Sequence, residues 1–167
     1  MKNQSKKAIF SIGISGSGKS TILKKLYQNQ DFRFLDCDSI KEKSINYNPK
    51  KPEILHDWSI KELSKEYNKT LKNGQNFVYD TCNCNIEKAI SRIEKAKAKG
   101  YYIILIYVKV KLSIALKRNK QRQRQVKKSI ILDKYSKVKK AFKILSQNVN
   151  EFKVINNNKF KKEFYYV

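Results

Sequence analysis

Short apolar runs alternate along the chain with longer segments whose apolar residues recur every three or four positions. "AIFSIG" (8–13), "FRFLD" (32–36), "NFVYD" (76–80), "YYIILIYV" (101–108) and "EFKVIN" (151–156) are rich in β-branched and aromatic residues and read as strands. The fourth run is apolar on both faces, as a central strand of a parallel sheet must be. Between them, "STILKKLYQ" (20–28), "SIKEKSI" (39–45), 53–74, "IEKAISRIEKAKAKG" (86–100), "SIALKRNKQR" (113–122) and "SIILDKYSKVKKAFKIL" (129–145) carry helical spacing. In 53–74 the apolar stripe is Ile54, Leu55, Trp58, Leu63, Tyr67 and Leu71, and Asn73-Gly74 closes the helix. "NPKKP" (48–52) is a loop. Strands alternating with helices predict an α/β fold: about five parallel strands, helices on both faces, and one domain over 1–167.

The link between the first strand and first helix is "GISGSGKS" (13–20), which fits G-x-x-x-x-G-K-[ST] in full and in the context that motif requires. Its glycines let backbone N–H groups turn inward around a phosphate chain, and the following helix adds the positive end of its dipole. Gly13, Ser15, Gly16, Ser17, Gly18, Lys19, Ser20 and Thr21 are therefore the expected nucleotide-binding residues. Lys19 would bridge the outer phosphates of ATP or another nucleoside triphosphate, and the Ser20 hydroxyl would serve Mg2+.

Ligands of open α/β sheets gather at the carboxyl ends of the strands, which draws attention to Asp36 and Asp38 after the second strand and Asp80 at the end of the third. One carboxylate would orient a hydroxyl and take its proton; another would hold water on the metal or brace the phosphate loop. Asp36 reads as a helix cap or turn residue, and Asp38 as a functional carboxylate with an N-cap role as its competitor.

Charge alters the picture next. The chain carries 38 Lys+Arg against 14 Asp+Glu, a formal charge of +24, so its partner is expected to be a polyanion such as nucleic acid. The basic stretch "RNKQRQRQVKK" (118–128) is part of that field. Hydrophobic residues at 40% and charged residues at 31% suit a globular protein rather than a disordered one. The three cysteines, Cys37, Cys82 and Cys84, read as reduced thiols; with His56 they make a poor zinc set, because a closed structural site needs four ligands. The N-terminal stretch lacks a signal-peptide pattern and no apolar run spans a bilayer, so a cytoplasmic location without membrane contact is expected.

With these motifs in order, the chain resembles the kinase domain of phage-type polynucleotide 5′-hydroxyl kinases, within the wider group of P-loop kinases that includes zeta toxins. The resemblance runs from about Ile9 to Asn156 on four elements: "GISGSGKST", "DCDSIK" (36–41), "YDTCN" (79–83) and "KRNKQR" (117–122). It implies a P-loop kinase fold with a helical lid. It further implies that Asp38 is the general base for an attacking 5′-hydroxyl and that Lys19 and Ser20 hold the donor phosphates. Arg122 matches the lid arginine that steadies the transferring phosphoryl group, Arg118 a lid residue near the nucleotide, and Asp80 a supporting acid. The acceptor-phosphate arginine of the family is replaced by Lys41, which keeps the charge but not the bidentate fork. Arg118 and Arg122, four apart, are expected on one helix face; Arg124, Lys127 and Lys128 have no assigned task beyond attracting a polyanion. Trp58 and Tyr67 are expected in the core, with stacking on a terminal base as the other use. No phosphatase-type segment follows the kinase elements, so phosphorylation alone is expected.

Two other readings stay open. One is a kinase for a small molecule (a nucleoside or nucleotide sugar) or for a hydroxylated base within DNA. The other is a non-catalytic, nucleotide-gated nucleic-acid-binding protein, which leaves Asp38 and Arg122 without a task.

Overall fold

The computed structural model describes residues 6–49 and 51–159; the polar start at 1–5, Lys50 of the expected 48–52 loop and the last eight residues lie outside the described residues. In chain order the elements are β1 (Lys7–Ile12), α1 (Lys19–Tyr27), β2 (Arg33–Asp36), α2 (Cys37–Glu42), a 3-10 turn (Pro52–Leu55) and α3 (His56–Asn73). They continue with β3 (Phe77–Asp80), α4 (Ile86–Ala98), β4 (Tyr102–Lys109), α5 (Leu112–Lys120), α6 (Lys128–Leu145) and β5 (Glu151–Asn156). The strands form one parallel sheet in the order β2-β3-β1-β4-β5.

Period-two alternation along each strand divides the core between the two faces of the sheet. Ala8, Phe10, Ile12, Phe77, Tyr79, Ile103 and Leu105 point to one face, where Leu63, Tyr67 and Leu71 of α3 and Ala89, Ile93 and Ala96 of α4 meet them. Ile9, Val78, Ile104, Ile106 and Val108 point to the other and pack on Ile22 and Leu23 of α1. Aromatic edges interlock on the first face: Phe10 lies 5.8 Å from Phe77, and Tyr67 lies 5.6 Å from Phe77 and 5.5 Å from Tyr79, all between ring centroids. Edge-to-face packing of this kind adds to simple area burial. The Tyr67 hydroxyl escapes burial without a partner by donating to the Arg92 carbonyl at 2.6 Å.

Three local features depart from the expected pattern, each for a physical reason. Helix α2 begins at Cys37, two residues before "SIKEKSI", because the Asp36 carboxylate accepts from the N–H groups of Asp38 and Ser39, both at 3.0 Å, and from Ser39 Oγ at 2.6 Å. Trp58 does not join the core: it is 40% exposed because α3 buries only its Ser59–Leu63–Tyr67–Thr70–Leu71 face, and Ile54, in the 3-10 turn before α3, is 69% exposed. Tyr67 is in the core as expected. Helix α5 stops at Lys120, so Arg122 lies beyond it and does not share a helix face with Arg118.

The cap at Asp36 is a stability statement. Asp36→Ala leaves the first N–H groups of α2 without side-chain acceptors and is expected to cost about 1–2 kcal/mol. Urea unfolding checks it: the midpoint falls and the slope stays the same.

Candidate functional site

The phosphate loop leaves β1 at Gly13 and enters α1 at Lys19. Gly13, Gly16 and Gly18 have φ of 149°, 82° and 88°. At Gly16 a Cβ would stand 2.3 Å from the Ala115 carbonyl oxygen of α5, so both the conformation and the space demand glycine. Gly18 caps α1 without offering a side chain, and the first turn of that helix holds no acid. Its leading N–H groups are therefore left to an external anion. Inside the loop, Ser17 Oγ is buried with no hydrogen-bond partner. A cradle of inward N–H groups, an unpaired buried hydroxyl and the ammonium of Lys19 together fit a phosphate chain. Ser20 stands exposed in the first turn of α1.

The loop is braced from the far end of the chain. Asn157, just past β5, donates through Nδ2 to the Ser17 carbonyl at 2.8 Å, while its own N–H reaches the Lys109 carbonyl at 2.9 Å. Sequence reasoning missed Asn157; its only signal is the run "NNN" (156–158) after the last strand.

The strand ends bring in the carboxylates. Asp36 and Asp80 are register partners at the ends of β2 and β3. Asp80 is 6% exposed, and its Oδ1 accepts from Ser11 Oγ of β1 at 3.0 Å; the same hydroxyl lies 3.0 Å from the Thr81 carbonyl. Asp80 thus sits beside the root of the phosphate loop. The Ser20 hydroxyl is a hard oxygen donor of the kind that suits Mg2+.

Asp36 takes the N-cap of α2, which leaves the Asp38 side chain in the first turn without a capping role. Asp38 forms an ion pair with Arg124 and has Lys41 Nζ 4.0 Å away. Burial raises the Asp38 carboxyl above its ordinary range; Arg124, then Lys41 and Lys19, pull it back. Lys19 of the phosphate loop is therefore near enough to act on Asp38. Lys41, expected at an acceptor phosphate, is buried, 5% exposed, and turned to Asp38. His56, across from it at the start of α3, is pushed down by burial first and then by the charges of Lys41 and Lys134.

Arg124 was expected only to attract a polyanion, and this is corrected: it reaches the carboxylate. Asn119 explains how. This buried residue at the end of α5 donates Nδ2 to the Val126 carbonyl at 2.8 Å and accepts the Val126 N–H at 3.0 Å, closing 120–126 into a bracket. Arg122 is exposed on that bracket. Arg118 remains on α5 and is lowered by burial and by the like charge of Arg122, so these two arginines are neighbours although no helix face joins them.

Comparison with known proteins follows this geometry. A family model described as "AAA domain" matches residues 9–143. A search of curated proteins returns no match. Solved structures share the fold. A chain of the PezAT chromosomal toxin-antitoxin system of Streptococcus pneumoniae superposes with a TM-score of 0.73 at 17% identity, over 99% of this chain and 73% of that one. A chain of the Pnkp1/Rnl/Hen1 RNA repair complex gives 0.68 at 17% identity, over 86% of this chain and 48% of that one. Shikimate kinase from Bacteroides thetaiotaomicron gives 0.57 at 15% identity, over 94% and 90%. The architecture is that of a P-loop kinase. Among the described residues no helix is long and apolar enough to cross a membrane.

Gly16→Ala pushes a methyl group into the α5 backbone and is expected to cost about 1–3 kcal/mol and at least ~10-fold in nucleotide affinity. Gly74→Ala is the control. Its φ is 66° but its nearest neighbour is the flexible Lys6 side chain at 3.5 Å, so it loses only about 1 kcal/mol and keeps the affinity. Calorimetric titration with a non-hydrolysable ATP analogue, paired with urea unfolding, separates the two.

Proposed function

The chain belongs to the AAA domain family, and on that premise we propose that it is an ATP-dependent kinase. In this reading it transfers the γ-phosphoryl group to the 5′-hydroxyl end of RNA or DNA. The observation that carries the reading is the Asp38 carboxylate, released from capping by Asp36 and engaged by Arg124 within reach of the Lys19 charge. Phosphoryl transfer needs an in-line nucleophile and neutralisation of spreading negative charge, with little covalent help from the protein. Asp38 is the general base: its raised affinity for protons suits acceptance of the acceptor hydroxyl proton as the oxygen attacks.

Lys19 and the loop N–H groups hold the β- and γ-phosphates, and Ser20 would hold Mg2+, which supplies charge neutralisation between the phosphate oxygens when bound. Arg124 holds the Asp38 carboxylate; Arg122 is the lid arginine that steadies the transferring group, and its neighbour Arg118 serves the donor side. Lys41 is a positioning residue that keeps Asp38 ionised and oriented. The charge of +24 supports a polynucleotide acceptor, because contacts to backbone phosphates dominate nucleic-acid affinity. One observation favours the small-molecule reading instead: Lys41 is buried on Asp38 rather than presented to an acceptor phosphate.

An acceptor screen with γ-labelled ATP tests the proposal. Label is expected on 5′-hydroxyl oligonucleotides, and neither on the same strands already 5′-phosphorylated nor on nucleosides or nucleotide sugars. Label on the small molecules alone overturns the polynucleotide acceptor. Asp38→Asn is expected to lower the transfer rate by about 10²–10⁴-fold with ATP affinity kept; transfer at the wild-type rate removes Asp38 as the base. Oligonucleotide affinity should fall steeply with salt, with a log–log slope of about −0.7 per phosphate contacted.

A further inference from the structure

Cys82 and Cys84 flank Asn83 in the turn that leaves β3, at the end of the sheet that carries the phosphate loop. Their Sγ atoms are 2.7 Å apart, only about 0.7 Å beyond the length of an S–S bond. The turn that carries the pair is held in place. Asn83 is the one described non-glycine residue at positive φ, 49°, a conformation asparagine tolerates better than most residues. It is held there by burial and by its Nδ2 donating to the Ser11 carbonyl at 2.7 Å. The two sulfurs face each other in a turn tied to β1. Both cysteines are half-buried, so small reagents can reach them.

Their surroundings give the two thiols different chemistry. The Cys84 thiol has carbonyl acceptors within reach, that of Cys82 at 3.6 Å and that of Lys134 at 3.7 Å, which hold its S–H proton. Cys37 stands apart from the pair: its sulfur rests 4.0 Å from the Ser59 carbonyl, and burial raises it. A bond between residues two apart closes too short a loop to stabilise the fold through chain entropy, and strained disulfides of that kind are the readily reduced ones.

We propose that Cys82 and Cys84 are a redox-active dithiol, a modification site on the wall of the nucleotide site that a peroxide converts to a reversible intramolecular disulfide. The Cys82 thiolate attacks one peroxide oxygen, the O–O bond breaks, and the departing hydroxide takes a proton to become water, leaving Cys82 as a sulfenic acid. The Cys84 sulfur then attacks the Cys82 sulfur; the S–O bond breaks and hydroxide leaves with the Cys84 proton as a second water. Two thiols and one hydrogen peroxide thereby give one disulfide and two waters. Two equivalents of a small-molecule thiol, or one dithiol, return two electrons and two protons by exchange and leave as their own disulfide.

The test uses the full reduced chain, hydrogen peroxide and intact-mass counting of alkylated thiols, with no step that depends on phosphoryl transfer. The expected result is a fall from three alkylatable thiols to one, a loss of two hydrogens from the peptide holding 82–84, and full recovery with dithiothreitol. In Cys84→Ser the reaction should stop at a Cys82 sulfenic acid that a dimedone probe captures, whereas Cys37→Ser should still lose two thiols. Three thiols that survive peroxide, Cys37 consumed before the pair, or cross-linked dimers in place of the internal bond would each overturn the proposal.

Discussion

Parallel pairing of β1 with β3 and β4 is the constraint on which the rest of the molecule depends. Because β1, β2 and β3 run the same way and in register, their carboxyl ends release the phosphate loop, Asp36 and Asp80 at one edge of the sheet. Ile9 and Phe10 sit opposite Val78 and Tyr79, so the next residues, Ser11 and Asp80, are neighbours, and the serine hydroxyl meets the acid. A buried carboxylate is costly unless such a donor accompanies it. The core on both faces therefore sets the register, and the register assembles the polar groups of the site.

Charge shapes what that edge can bind. Asp38 is the acid shared by Arg124, Lys41 and Lys19, and the same neighbourhood includes Lys134 and His56. Three cations, Arg124, Lys41 and Lys19, act on Asp38 against one neighbouring acid, Asp36. Burying Lys41 is tolerable because a carboxylate faces it, and losing either partner would leave an uncompensated buried charge. The carboxylate is thereby kept in one place, while the arginine that covers it belongs to the loop that Asn119 closes.

Much of this was legible in the sequence because it is local. Strand periodicity, the glycine stops and the phosphate loop each depend on neighbours a few residues apart, and the structure has all five expected strands and the six expected helices. What escaped depends on contacts distant in sequence or on competition between adjacent groups. Asp36 and Asp38 were both candidates for the helix cap, and only the backbone direction after β2 decides for Asp36. The bracket from Asn119 to Val126 ends α5 early and sends Arg124, instead of a residue on the helix, to Asp38. Trp58 looked apolar enough for the core, but the buried face of α3 is rotated away from it. Asn157 lies 140 residues from the serine it braces, beyond any periodicity.

The central claim is that Asp38 works as a base under the hold of Arg124, and the acid limb of the pH profile of kcat/KM tests it most directly. A general base must be ionised, so the rate is lost as pH falls through its raised pKa. The limb of the wild-type enzyme should lie above the ordinary carboxylate range near ~3.9. Arg124 is the largest influence lowering Asp38, so Arg124→Ala should move that limb to higher pH, as well as slowing transfer. A limb that stays in place when Arg124 is removed would contradict the account.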